Sequence, residues 1–150
     1  MTKHYSVAEL VPHEGNMCFL SSVESFDEAS LHAKAHIKPS NPFLLEGSVA
    51  SWVGIEYMAQ AIAAWAGTEA LEKGEPIKVG LLVGTRKYVV NSPGFPLHSE
   101  LNIFVKSVMQ AENGLGVFDC RIENEGNWVE ARINVFLPDD IKAVLGEPAR

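Results

Sequence analysis

Basic residues are in short supply in this sequence: 12 Lys and Arg stand against 19 Asp and Glu, giving a net charge of -7 and a pI near 5.2. Such a chain lacks the clustered positive charge that a nucleic-acid backbone requires, and that class of partner is excluded. Cysteine is scarce as well. Cys18 and Cys120 are the two thiols, and neither falls in a metal-binding or redox spacing, so both are expected to be free, as in a cytoplasmic protein. The opening segment MTKHYSVAELVPHEG has neither the apolar core nor the small-residue cleavage site of a signal peptide, which supports the same expectation. Repeats and low-complexity runs are lacking. No Ser-His-Asp order, phosphate-binding Gly loop or dinucleotide fingerprint occurs in a credible context. A metal set is missing too: on a strand, His32 and His36 would lie about 13 Å apart, too far for one ion.

Apolar residues are what the chain has in quantity, at 47% of 150 residues. That excludes disorder and suits one domain over residues 1–150 with a sizeable core. Their density peaks from Ser48 to Gly67, SVASWVGIEYMAQAIAAWAG. Ala59, Ala61, Ala63, Ala64 and Ala66 are strong helix formers. Ser48 or Ser51 could cap the start; Gly67, or Gly74 after a continuation through Thr68–Lys73, could end it. A helix apolar nearly all round belongs inside a protein. Its length approaches that of a bilayer span, but Glu56 and Gln60 near the middle and strand-like flanks favour a core helix over a membrane one. Those two polar residues are four apart and share a helix face. A lone carboxylate there is costly to bury unless it is paired or put to use. Glu56 is therefore either a functional acid or a Glu held by structural hydrogen bonds.

The flanking segments read as strands. Ser6–Val11 suggests a short amphipathic helix stopped by Pro12. Met17–Phe26 and Leu31–Ile37 follow as strands, the second with Leu31, Ala33, Ala35 and Ile37 alternating with His32, Lys34 and His36. Beyond Gly74 come Lys78–Val90, Leu97–Ala111, Leu115–Glu123 and Trp128–Leu137, the last three joined by turns at Asn113-Gly114 and Asn124–Asn127. Runs of strands with one segregated helix indicate an α+β domain: an antiparallel sheet of about five to six strands wrapped around a long central helix. The open sheet edge and the rest of the helix surface call for a second subunit, so at least a dimer is expected.

Several motifs resemble those of the hot-dog-fold β-hydroxyacyl-acyl carrier protein dehydratases. Val11-Pro-His13 with Met17-Cys-Phe-Leu20 is similar to their opening Leu-Pro-His…Phe-Leu-Leu segment. Glu56-Tyr-Met-Ala-Gln60 resembles the Glu-Ala-Met-Ala-Gln of their central helix, and Pro93-Gly94 their Pro-Gly-Asp turn. Within that superfamily the chain looks closest to the small dehydratase-like proteins of aryl-polyene pathways. One departure matters. The catalytic His that such enzymes carry in a Gly-His-Phe-Pro-Gly loop has no counterpart in Leu45-Glu-Gly-Ser-Val-Ala-Ser51.

The resemblance implies removal of water from a 3-hydroxyacyl thioester, carried on the phosphopantetheine of acyl carrier protein or on coenzyme A, with no other cofactor. The reaction needs a base, an acid and N–H donors for the thioester oxygen. Glu56 is the candidate acid; it would keep its proton by desolvation if it lay more than a turn inside the helix. His13, in its Pro-led loop, is the candidate base. Gly47, Ser48 and the first helical turn are candidate donors, with Gln60 close by. Arg86, Lys87, Lys106, Arg121 and Arg132 either dock an acidic carrier or simply solvate the surface. Alternatives are a non-catalytic or half-site partner of another hot-dog dehydratase, in a homodimer or heterodimer, and an acyl thioesterase on the same fold.

Overall fold

A computed structural model describes residues 5–11, 15–76 and 80–137. The chain opens with α1 (Val7–Leu10), where Ser6 and Glu9 form a reciprocal capping box. A 3₁₀ turn (Gly15–Met17) leads to β1 (Ser22–Phe26) and β2 (Ser30–His36). A small hairpin, β3 (Leu44–Leu45) and β4 (Ser48–Ala50), precedes a second 3₁₀ turn (Ser51–Val53) and the long α2 (Gly54–Glu72). Then come β5 (Leu81–Val90), β6 (Gly94–Pro96), β7 (Glu100–Gln110), β8 (Leu115–Asn124) and β9 (Asn127–Phe136).

Six strands form one antiparallel sheet in the order β1-β2-β7-β8-β9-β5. This is the antiparallel sheet with one long helix that the sequence pattern implies, and the hot-dog arrangement that the family resemblance implies. Register explains why α2 lies against one face. Leu31, Ala33 and Ala35 sit opposite Val105, Ile103 and Leu101; Ile103 and Val105 sit opposite Ile122 and Cys120; and Phe118, Cys120 and Ile122 sit opposite Ile133, Ala131 and Val129. All of these are buried. Each fully buried Leu or Ile contributes about 1.5–3 kcal/mol of transfer free energy. The other phase, which includes His32, Lys34, Phe104, Arg121 and Arg132, covers the outer face.

Against the inner face α2 buries Tyr57, Met58, Gln60, Ala61, Ile62, Ala64 and Trp65. Trp65 packs edge-on to Phe118 at 5.3 Å and donates its Nε1 proton to the Asp27 carbonyl at 3.2 Å. The helix runs past Gly67, which serves close packing instead of termination: a Cβ there would come 2.7 Å from the Leu10 carbonyl oxygen of α1. Termination falls at Lys73. Gly74 takes a φ of 67°, with Gly74 N–H bonded to the Leu71 carbonyl and Glu75 N–H to that of Ala70.

Three short strands were not visible in the sequence pattern. β3 and β4 join across Glu46 and Gly47, and β4 pairs with β6 to make a second, three-stranded sheet. The segment from Leu45 to Ser51, read as a loop, is therefore mostly hairpin. Its pairing with Gly94–Pro96 fixes where the chain enters α2. The expected strand from Met17 begins only at Ser22, after the 3₁₀ turn.

Candidate active site

Glu56 is the third residue of α2. The condition of lying more than a turn inside the helix is not met. Its side chain is half-buried, and among the described residues no hydrogen bond or ion pair is made to it. It stands on a stripe formed by Trp52, Ile55, Glu56, Ala59 and Ala63, which remain exposed or half-buried while the other α2 residues from Gly54 to Thr68 are buried. α1 closes the helix further along, at Gly67. The chain leaves the first half of this stripe uncovered.

Gln60 shares the face of Glu56 by spacing but not its surroundings. It is 1% exposed, accepts a hydrogen bond from the Phe19 N–H at 2.9 Å and donates to the Met17 carbonyl at 2.6 Å. Both ends of its amide are used on the segment that follows the Gly15–Met17 turn. Gln60 thus clamps the chain just downstream of His13. His13 itself lies outside the described residues.

Neither serine caps α2. Ser48 is in β4, opposite Leu45 and Pro96, and the Ser51 N–H bonds to the Pro93 carbonyl at 2.9 Å. No side chain of the N-cap residue bonds either the 3₁₀ turn or α2. Gly47 occupies the hairpin turn with φ 82°, and its carbonyl accepts from Leu97 N–H at 2.9 Å. Gly47 and Ser48 therefore shape the entry to the helix from a hairpin, upstream of its first turn. The sequence reading missed Tyr88. Its phenol donates to the Ser51 carbonyl. Burial pushes its pKa up to about 12, with the nearby Ile55 amide working the other way. Its only signal in the sequence is an aromatic residue beside the edge-strand basic pair Arg86-Lys87.

Aromatic rings surround the start of α2. Phe19 lies 4.9 Å from Tyr57 and 5.9 Å from Phe43, Phe43 lies 6.2 Å from Trp52, and Tyr57 6.4 Å from Phe95. A cavity of about 120 Å³ opens between Gly15, Cys18, Phe19, His36, Lys38, Ser40, Asn41 and Tyr57. In it Asn41 donates to the Tyr57 hydroxyl at 2.8 Å; burial takes that phenol to about 12, with the Asn41 bond working the other way. Glu56 is not among the lining residues.

His32 and His36 follow their strand phase. His32 stacks on Phe104 at 4.4 Å and bonds Asn102 at 2.8 Å, and His36 pairs with Glu100 at 3.2 Å on the outer face. His98 is exposed. Much of the basic side-chain set is spoken for: Arg132 binds Asp119 at 2.8 Å, while Arg121 reaches Glu123 at 3.0 Å, Glu130 at 3.1 Å and the Trp128 ring at 5.4 Å. Among the described residues there is no group of three or more His, Cys, Asp or Glu that could hold a metal, and no helix is long and apolar enough to cross a membrane.

The family model of the ApeP-like proteins, described as ApeP dehydratase, matches residues 5–146. The chain belongs to the ApeP-like dehydratase family. It is similar, at 29% identity and a TM-score of 0.87, to a chain of the dehydratase heterocomplex ApeI:P from Xenorhabdus doucetiae, over 97% of this chain and 100% of that one. A hypothetical thioesterase from Streptococcus pneumoniae TIGR4, crystallised with coenzyme A, matches with a TM-score of 0.59 at 15% identity over 77% of this chain and 84% of that one. The PaaI protein of E. coli, from its phenylacetic acid degradation operon, matches with a TM-score of 0.59 at 16% identity over 76% and 80%. At those identities the last two share the fold alone. No curated protein matches the chain. The resemblance read from Glu56-Tyr-Met-Ala-Gln60 is thus borne out: this is an ApeP-like hot-dog dehydratase, of the aryl-polyene type, and the thioesterase alternative does not outweigh it.

Proposed function

We propose that this ApeP-like chain contributes the Glu56 carboxyl to a 3-hydroxyacyl-thioester dehydratase site completed across an interface with a second hot-dog subunit. The acyl group would arrive on the phosphopantetheine of an acyl carrier protein or of coenzyme A. The observation that carries this reading is the open face at the start of α2. A half-buried carboxylate with no partner among the described residues stands in an apolar stripe, flanked by the exposed Trp52. Tyr88 ties that region to β5, the terminal strand of the sheet, where Leu82, Val83, Val89 and Val90 are also exposed. An uncapped apolar edge beside an uncovered helix face calls for a paired subunit. The similar protein from Xenorhabdus doucetiae is part of a dehydratase heterocomplex, which favours a different hot-dog chain as the partner.

In the reaction a base removes the α-proton, the C–O bond at the β-carbon breaks, and Glu56, desolvated once the second subunit covers its open face, delivers its proton so that the hydroxyl leaves as water. The product is an enoyl thioester. N–H donors near the helix start would hold the charge on the thioester oxygen. His13 is the base this chain can offer; Gln60 fixes the segment that follows it. The test is turnover of a 3-hydroxyacyl N-acetylcysteamine thioester, followed by enoyl absorbance, with the chain alone and with a hot-dog partner. Glu56→Gln should lower the rate by about a hundredfold or more. An unchanged rate would remove Glu56 from the chemistry.

A second reading is favoured by the missing loop His together with that heterocomplex. In it the chain steadies a catalytic partner and performs no chemistry. Activity that needs the chain but ignores both Glu56→Gln and His13→Ala would decide for it. Release of free thiol, measured with a thiol reagent, would instead identify a thioesterase.

A further inference from the structure

We infer that Tyr88 is a positioning residue for Glu56, holding the first turn of α2 from the edge strand of the sheet; this rests on the reading of Glu56 as the acid. The start of a helix leaves N–H groups without partners and is the part most prone to fray. In α2 no N-cap side chain answers them. The turn that leads into it is tied down from 37 residues downstream instead: the Tyr88 phenol donates to the Ser51 carbonyl, which also accepts from the Gly54 N–H. That one carbonyl therefore joins β5, the 3₁₀ turn and the first residue of the helix. Gly54 lies two residues before Glu56, so fixing it fixes the direction in which the carboxyl leaves the helix.

Two further features are arranged around the phenol oxygen. At Gly54 a Cβ would lie 2.6 Å from the phenol oxygen, so the phenol occupies space that any larger residue would claim. On the other side, β5 slips register against β9 between Arg86 and Val89. Arg86 and Val89 face outward opposite the exposed Arg132 and Glu130. Strict alternation from Arg86 would send Tyr88 outward as well. The extra residue is Lys87, at a φ of 53°, a backbone conformation unfavourable for a side chain of this kind. Bulges re-aim side chains, and this one turns Tyr88 inward onto the helix start. A strained non-glycine bulge and a glycine-made space thus converge on a single hydroxyl, which touches neither substrate nor Glu56.

The experiment compares wild type, Glu56→Gln, Tyr88→Phe and the double variant in the complex with its hot-dog partner, on the same 3-hydroxyacyl N-acetylcysteamine thioester. Tyr88→Phe should lower kcat by roughly tenfold, in keeping with what a small misplacement costs, and leave KM unchanged. On the Glu56→Gln background it should add nothing, because the group it positions is already gone. Hydrogen exchange at the Gly54 amide, which bonds the carbonyl that Tyr88 holds, should quicken in Tyr88→Phe. Should that variant fold poorly, Gly54→Ala displaces the phenol from the helix side and should reproduce the same pattern. Slow turnover in Glu56→Gln with full turnover in Tyr88→Phe would overturn this inference alone. Additive losses in the double variant would overturn it too, while a Glu56→Gln variant as fast as wild type would overturn both readings.

Discussion

Replacing Gln60 by Glu is a sharp test of the clamp on the Met17–Phe19 segment. The side chain is 1% exposed, and its two bonds have opposite polarity: Phe19 N–H gives to it at 2.9 Å and the Met17 carbonyl takes from it at 2.6 Å. A carboxylate can accept from Phe19, but its second oxygen would face the Met17 carbonyl, acceptor against acceptor. A protonated carboxyl restores both bonds. The introduced group therefore favours its neutral form in the fold, and its folded pKa rises above the unfolded value of about 4.3. With a raised folded pKa, the stability it contributes is complete below the unfolded value and is lost as pH rises through the folded one. At pH 7 the worst case is a folded protein that keeps the proton while the unfolded chain releases it. That is a gap of roughly 2.7 units, or about 3.7 kcal/mol at 1.36 kcal/mol per unit. Urea unfolding of wild type and Gln60→Glu, at one protein concentration because association shifts apparent stability, should show them within about 1 kcal/mol near pH 4 and about 2–4 kcal/mol apart near pH 7. Gln60→Leu leaves both backbone groups unpaired at every pH, a loss of about 2–4 kcal/mol without that slope. A Gln60→Glu deficit that is the same at both pH values would refute the clamp.

Gly67→Ala places a methyl 2.7 Å from the Leu10 carbonyl oxygen. It should destabilise the chain by about 1–3 kcal/mol through overpacking at the α1–α2 contact, read by thermal unfolding; an unchanged melting temperature would mean that α1 yields freely. Val89→Glu puts charge on the exposed apolar edge of β5 and should weaken subunit association with the monomer still folded, seen as a lower mass in light scattering and an unchanged far-ultraviolet dichroism spectrum. Burial pushes the Tyr57 phenol up to about 12, from an ordinary value of 10.0. Its folded pKa is raised, so the stability it contributes is intact below about 10 and fades as pH climbs towards 12, by at most about 3 kcal/mol. Tyr57→Phe should flatten that alkaline decline in denaturant midpoints.

Much of the fold was legible because its signals are local and periodic. Leu31, Ala33, Ala35 and Ile37 alternate over a whole strand, and the structure buries all four. Asn124–Asn127 carries turn residues at the place where Glu125 and Gly126 adopt positive φ. The strands β3, β4 and β6 escaped notice for the opposite reason. At two or three residues each they are too short for a period of two to register, and β4 and β6 pair across about 45 residues, as Val49 does with Phe95. Gly67 was misleading as a stop signal, since a glycine chosen for close approach looks the same in sequence as one chosen for a positive φ.

The site was half legible, and the reason lies in how each residue is held. Glu56 stood out because a carboxylate among apolar neighbours violates a local expectation. Gln60 stood out with it, on the same grounds of spacing, yet the structure separates their roles: one amide is consumed by the backbone of Met17 and Phe19, and one carboxylate is left open. Spacing places two residues on a face without saying what the face meets. The cap of α2 was sought among nearby serines, where caps are usually found. Neither serine supplies one; the support that the structure shows is Tyr88 on the Ser51 carbonyl, delivered by a bulge at a residue that is not glycine, and neither composition nor periodicity marks such a bulge. The groups that hold the segment before Glu56 are therefore the ones drawn from distant strands. The placing of this helix start depends on the edge of the sheet being in place, which is why the candidate acid can be read from the sequence and its support cannot.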